Sequence, residues 1–320
     1  MPKKLKIALF SVAAAAIGCA CGRDEVRDSV PEPVVRLDRA VASGAGFDSL
    51  LSVGWGDLAT VVGAESPAEY ASSAVVEVFQ PDVDRLLPSL DSVEAVLGTV
   101  RAGLAEILPS VDWCTTYAVV WPYSQSVMYG ADGNVLVALN HYLGADYPGY
   151  QGRFPDYMRV LKSPSRLPAD VAEMLIESNY PYVEPTDRPA SLLNRMLHQG
   201  AVLHAVSRVL PPDTPAATLL GITPGQADWL SSNEAAVWRR MMEADMVYSA
   251  DNELADRLLR RAPASSYITP DAPGGTARYI GMKIVEAYLA KNPEVADSML
   301  LTSEFYNSTQ SLISSQYAPR

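Results

Sequence analysis

Between residues 189 and 210 the chain offers three apolar faces where a surface helix would offer one. At 3.6 residues per turn, Leu192, Met196, Leu203, Val206 and Leu210 fall on one face. Val202 and Val209 share a second with His198, and Leu193 and Leu197 make a third. A helix apolar nearly all round has no side to give to water, so the segment predicts a buried central helix with the rest of the fold wrapped around it. The chain can supply that wrapping: it has 320 residues, of which 48% are hydrophobic and 19% charged.

Other segments read as the wrapping. Val93, Leu97, Val100, Leu104 and Leu108 recur at helical spacing before Pro109. Residues 226–248, 254–261 and 276–291 are further amphipathic helices. The period shortens elsewhere. Residues 35–39 alternate, residues 117–121 and 126–129 are rich in β-formers, and 135–139 is an apolar run. Gly130-Ala131-Asp132-Gly133-Asn134 makes a hairpin loop between the last two. The expected fold is therefore α+β and predominantly helical, with a small antiparallel sheet packed on the buried central helix. One domain is expected over residues 34–301, followed by a polar C-terminal tail over 302–320.

The N-terminus reads as an address. Lys3, Lys4 and Lys6 precede the apolar run IALFSVAAAAI, which is too short to span a bilayer and has the form of a secretory leader. Ala16-Ile17-Gly18-Cys19 resembles a bacterial lipobox, with residues 1–18 as signal peptide and Cys19 as the acylated first residue. Cys21 follows a poorer box. Buried acyl chains contribute about 0.8 kcal/mol per CH₂, so several of them anchor a protein firmly. No Asp follows Cys19, which points to the outer membrane. Residues 19–33, polar and with two prolines, read as the lipidated cysteine and a flexible tether.

Composition narrows the chemistry. The formal charge is −12, and loss of the three leader lysines makes it more negative still, which argues against a nucleic-acid partner. Three cysteines cannot form a disulfide framework, and Cys114 reads as a small buried hydrophobe. Neither G-x-S-x-G nor a phosphate loop is present. The stretch closest to a catalytic motif is His198-Gln199-Gly200-Ala201-Val202-Leu203-His204. Zinc peptidases place two histidines four apart so that one helix face grips the ion. Here Val202 stands at that position, and His204 lies about 120° away round the helix. Gln199 stands where a general-base glutamate would, and an amide cannot take a proton from zinc-bound water. No catalytic residue and no cofactor is assigned on this reading. The bland alternative for both histidines is a packed or hydrogen-bonded core position. Tyr142, Tyr147, Tyr150 and Tyr157, in a Gly- and Pro-rich stretch starting at His141, either line a binding surface or pack the loop onto its scaffold.

The order of segments resembles the GldB-type gliding-motility lipoproteins of Bacteroidota. The matching pieces begin with the lipobox, Arg36-Leu37-Asp38-Arg39, and Leu139-Asn140-His141-Tyr142-Leu143-Gly144 with Asp146-Tyr147-Pro148. Gly200, Thr223-Pro224, Trp229, Asn233-Glu234, Trp238, Glu243 and Tyr248-Ser249-Ala250-Asp251 follow. Pro273-Gly274-Gly275, Gly281 and Ile284-Val285-Glu286-Ala287-Tyr288-Leu289 complete the series. The resemblance implies a degenerate zinc-metallopeptidase-like layout without the intact metal motif. It also implies a non-catalytic lipoprotein, acylated (for example by palmitate) and facing the periplasm. Such a protein would be an accessory of gliding, type IX secretion-linked or other envelope-assembly machinery, with an envelope protein complex as partner. The candidate binding surface is His141, Tyr142, Tyr147, Tyr150, His198 and Glu234. Two alternatives stay open: a divergent zinc metallopeptidase using His198, His141 and Glu234, and a glycan-binding lipoprotein using the tyrosine loop.

Overall fold

The computed structural model describes residues 29–43, 47–261 and 267–320. The chain begins with β1 (Val34–Arg36), α1 (Leu37–Ser43), α2 (Phe47–Val62), α3 (Pro67–Ala71), α4 (Ala74–Leu86) and α5 (Asp91–Ile107). Next come β2 (Thr116–Val119), β3 (Val127–Tyr129) and β4 (Val135–Ala138). Short 3-10 turns, with α6 (Asp156–Arg159) among them, lead to α7 (Leu167–Asn179). Then follow α8 (Leu192–Val209), α9 (Ala216–Leu220), α10 (Pro224–Glu243), α11 (Asn252–Leu259) and α12 (Thr276–Lys291). The chain ends with α13 (Asp297–Leu300), α14 (Ser303–Tyr306) and α15 (Thr309–Ser315).

The centre is α8, where 14 of 18 residues are buried, as its three apolar faces require. Its chief partner is α12, and the two meet backbone to backbone. A Cβ added to Gly200 would lie 2.2 Å from the carbonyl carbon of Gly281, and one added to Gly281 would lie 2.0 Å from the carbonyl oxygen of Met196. Only hydrogen at both positions permits that approach. Around this pair, α5, α7, α11 and α14 also contact α8. The apolar stripe read on α5 is buried throughout, from Val93 to Leu108.

The sheet departs from the antiparallel expectation. Its strand order is β1-β2-β4-β3. β1 pairs with β2 and β2 with β4 in parallel, and only the β3–β4 hairpin is antiparallel. The hairpin is local and its turn residues announce it. The parallel pairs join strands separated by long crossovers, which no local pattern encodes. Every residue of β2 and β4 is buried, in keeping with strands covered on both faces. The first strand is also shorter than its alternation suggested, because the chain turns helical at Leu37. Arg36 grips Asp38 through two hydrogen bonds of 2.9 and 2.7 Å, and Gln80 adds a third at 2.9 Å. Those bonds, converging on the Asp38 carboxylate, hold the strand-to-helix corner. It gives the Arg36-Leu37-Asp38-Arg39 motif a structural task.

Both expected tails are corrected. Residues 302–320 are not a solvated tail: Tyr306 is 1% exposed, and Phe305 and Leu312 are buried with it. The segment is polar on average, yet a few anchors reach the core. Ser311 and Ser315 donate their hydroxyls to the carbonyls of Phe305 and Leu312, both at 2.6 Å, which makes their burial tolerable. At the other end, residues 29–33 lie along α5 instead of swinging free. The Glu32 N–H donates to the Glu94 carbonyl at 2.9 Å, and the Glu32 carboxylate pairs with Arg101 at 2.5 Å. The Val30 carbonyl oxygen sits 2.1 Å from where a Cβ of Gly98 would be, so glycine makes the groove it crosses. The leader, Cys19, Cys21 and the rest of the expected tether lie outside the described residues. Among the described residues, no helix is long and apolar enough to cross a membrane.

Candidate functional site

The tyrosine loop does not form an open surface. Its Gly and Pro residues make turns, and its aromatic rings fill the space beneath them. Tyr142 and Tyr150 are fully buried, and His141 and Tyr147 nearly so. The Tyr142 hydroxyl donates to Asp170 at 2.9 Å, and the Tyr150 hydroxyl donates to the Asn140 carbonyl at 2.7 Å. The Tyr147 and Tyr150 rings meet edge to face at 4.9 Å, as do Tyr150 and Phe154 at 5.5 Å. Carbohydrate stacking needs an exposed ring face, and these rings spend theirs on one another. His141 lies at 3.1 Å from the Ser126 hydroxyl, and its imidazole is pushed down to about 3, by burial first and then by the charge of Lys162. It is neutral throughout the physiological range.

On α8 the two histidines part company. His198 Nε2 donates to the Tyr180 carbonyl at 2.9 Å, and its ring packs against those of Tyr182 and Tyr306, at 5.4 and 5.0 Å. Burial pushes its pKa down. His204 pairs instead with Asp297 of α13 at 3.1 Å. Gln199 donates from Nε2 to Glu177 at 3.0 Å, and Val202 is fully buried. Glu234 on α10 is half-buried and accepts the hydroxyls of Tyr279 at 2.7 Å and Tyr317 at 3.0 Å. His141, His198 and Glu234 are thus each engaged with different elements. Among the described residues, no group of three His, Cys, Asp or Glu side chains is placed to hold a metal ion. The expected surface of His141, Tyr142, Tyr147, Tyr150, His198 and Glu234 is core packing, except at Glu234.

What the fold does bring together is a buried ionic cluster. The α7 acids Asp170, Glu173 and Glu177 stand three and four residues apart, on one helix face. Arg166, just before α7, donates from Nε to Asp170 at 2.8 Å, from Nη2 to Glu173 at 2.7 Å and from Nη1 to the Leu219 carbonyl at 2.7 Å. Arg261, which follows α11, and Arg278, on the first turn of α12, both donate to Glu173. Burial alone would raise the Glu173 carboxyl. The charges of Arg261, Arg278 and Arg166 outweigh it and hold the group well below its ordinary 4.5. The cluster lies beside the Gln199–Glu177 pair, so the side of α8 that would carry peptidase chemistry abuts a knot of fixed charges.

A family model described as gliding motility protein GldB matches residues 63–319. The chain belongs to this family. Searches among curated proteins and among solved structures returned no match. The GldB match runs from the end of α2 to the penultimate residue of the sequence. It therefore includes both the ionic cluster and all but the last residue of the 302–320 segment.

Sequence reasoning missed the cluster in this GldB-family chain. One signal for it was present: three acids on one face of a helix that is otherwise buried need cationic partners. Nothing local names those partners, since Arg261 and Arg278 come from distant segments. Cys114 is a smaller correction. It is exposed, and its backbone N–H donates to the Gly133 carbonyl at 2.7 Å just ahead of β2.

Proposed function

We propose that this GldB-family protein is a non-catalytic lipoprotein anchored through Cys19 in the outer membrane and facing the periplasm. There it works as an accessory or adaptor of gliding-motility, type IX secretion-linked or other envelope-assembly machinery. Family membership makes it a gliding-motility-associated lipoprotein, and the leader with its lipobox supports the membrane attachment. One observation carries the non-catalytic reading. Where a zinc peptidase needs a general base and a second histidine, α8 presents Gln199, bound to Glu177, and the buried Val202. The close approach of Gly200 and Gly281 leaves no room for a substrate at the middle of that helix. Since the aromatic loop is packed inward, the surface that meets a partner lies elsewhere on the molecule.

The test is recovery of partners by the full-length lipidated protein from native envelopes under mild crosslinking. A defined set of envelope proteins is expected, and recovery of none would overturn the adaptor role. Metal content of the same preparation, purified without a polyhistidine tag or chelator, tests the other half. Near-stoichiometric zinc that disappears in His198→Ala would overturn the non-catalytic reading.

A further inference from the structure

With Cys19 acylated, a premise taken over from the proposed function, its sulfur is closed as a thioether. Two thiols then remain in the whole chain, Cys21 and Cys114. A periplasm-facing protein sits in an oxidising compartment, where a pair of thiols in one chain closes as a disulfide if the two can meet, and a stranded thiol reacts with another chain. Which of the two applies is a matter of reach.

Cys114 is exposed, and its backbone is held on both sides. Its N–H donates to the Gly133 carbonyl at 2.7 Å, and its own carbonyl accepts from Arg101 Nη2 at 3.0 Å. The same nitrogen donates to Glu32 Oε1 at 2.7 Å, so one guanidinium joins the N-terminal strap of residues 29–33 to the backbone of Cys114. Arg101 is itself fixed, with Nη1 on the Trp113 carbonyl at 2.7 Å and its guanidinium carbon 4.4 Å from the centre of the Trp113 ring. The strap also has a direction. The N–H groups of Glu32 and Val34 bond Glu94, at 2.9 Å each, whereas the Ser29 hydroxyl meets that of Thr99 at 3.1 Å and the Val30 carbonyl packs on Gly98. Residues 29–34 therefore run antiparallel to α5. Their upstream end lies towards the end of α5 from which the chain returns, seven residues later, to Cys114.

We propose that Cys21 and Cys114 form a disulfide that clasps the lipidated N-terminus to the body of the domain. Cys21 lies eleven residues before Glu32, and that length of chain spans up to about 36 Å. Glu32 and Cys114 are bridged by a single side chain, so the two cysteine Cα atoms can come within the roughly 4.4–6.8 Å that the bond requires. A short linker also keeps its free end at an effective concentration of about millimolar, which favours Cys21 over a second copy of the chain. The oxidant is a protein disulfide of the thiol-exchange class. The exposed Cys114 thiolate attacks one donor sulfur and releases the other as a thiol, and Cys21 then attacks the Cys114 sulfur and releases the second. Two electrons pass to the donor, and the two cysteine protons end on its thiols. Once the bond is closed, only Ala20 separates the acylated residue from an anchored one, about 7 Å of chain in place of the ten residues from Cys19 to Ser29. The segment just ahead of β2 is then held at the bilayer surface, which sets the face that the domain turns to the periplasm.

The experiment uses native envelopes carrying the full-length protein, with free thiols blocked by N-ethylmaleimide and the chain then cut by trypsin. Trypsin cuts after Arg23 and Arg27, between Cys21 and Ser29, and a shortened chain on a reducing gel shows that the cut was made. The cleaved domain is expected to stay with the membrane, to carry no label on Cys114, and to leave as a monomer only when a reductant is added. In Cys21→Ser, trypsin alone should release it and Cys114 should take the label. Release of the wild type without reductant, or labelling of its Cys114, would overturn the clasp. So would a disulfide-linked dimer that disappears in Cys114→Ser. The mass of the N-terminal tryptic peptide reports the anchor separately. Acyl chains on Cys19 together with a free Cys114 thiol defeat the clasp and leave the anchor standing, whereas acyl chains on Cys21 defeat both. The wild-type labelling decides the matter even if a variant does not fold.

Discussion

Replacing Gly281 by alanine sets two effects of opposite sign against each other. In a helix interior, alanine is favoured over glycine by about 1 kcal/mol, so propensity alone predicts a more stable protein. The structure predicts the reverse. The new Cβ would lie 2.0 Å from the carbonyl oxygen of Met196 and 2.7 Å from its carbonyl carbon. Both are backbone atoms, so no side-chain rotation relieves the overlap. Restoring ordinary contact requires α8 and α12 to separate by about 1 Å or more along their tightest crossing, at the most buried point of the core. Overpacking of this kind costs about 1–3 kcal/mol and occasionally more, and rigid backbone on both sides puts this case at the upper end or beyond. Subtracting the propensity gain leaves a net loss of about 2–3 kcal/mol. At about 2–4 °C per kcal/mol, the melting temperature falls by roughly 4–12 °C. Urea unfolding of Gly281→Ala beside the wild type, with melting curves as a check, measures the difference. A variant as stable as the wild type or more so would refute the close approach. Gly200→Ala relieves itself by the same separation, so the double variant should lose less than the two single losses combined.

Glu173→Gln leaves Arg166, Arg261 and Arg278 without their shared acceptor and should cost about 3–5 kcal/mol at neutral pH. The folded-state pKa of Glu173 is depressed, so its contribution is complete above the ordinary 4.5 and is lost as pH falls from there towards the folded value. Unfolding curves taken from pH 7 down to acid should therefore converge for variant and wild type, and parallel curves would contradict this account. Tyr306→Ala removes a ring that is 1% exposed, contacts His198 at 5.0 Å and accepts the Val183 N–H at 3.1 Å. It should cost about 3–5 kcal/mol and speed proteolysis of the C-terminal segment. A loss within about 0.5 kcal/mol would mean that the segment is the solvated tail its composition suggests.

The central helix was legible because its cause is local. Three apolar faces within one run of residues can satisfy water in only one way, and α8 is buried accordingly. The stripe on α5 and the β3–β4 hairpin were legible for the same reason, as periodicity and turn chemistry act within a few residues. Parallel pairing of β1 with β2 was not, because it joins Val34 to Thr116 across five helices and is fixed by how those helices pack. The loop of tyrosines had an undecided sign. Composition placed aromatic rings beside glycine and proline, and only the fold decided that they turn inward, with Asp170, Asp82 and the Asn140 carbonyl there to take their hydroxyls. Average polarity misread residues 302–320, since a few well-placed rings and self-satisfied serines suffice to bury a polar segment. By itself the sequence determined the helical plan, the buried helix and the absence of a second histidine four residues after His198. Tertiary structure alone decided where the charges meet. Asp170 and Glu173 share a helix face by local geometry, but Arg261 and Arg278 reach them only after α11 and α12 dock on α8. A pairing made across about 90 residues leaves no pattern in the chain, because Coulombic attraction acts through space and not along the sequence.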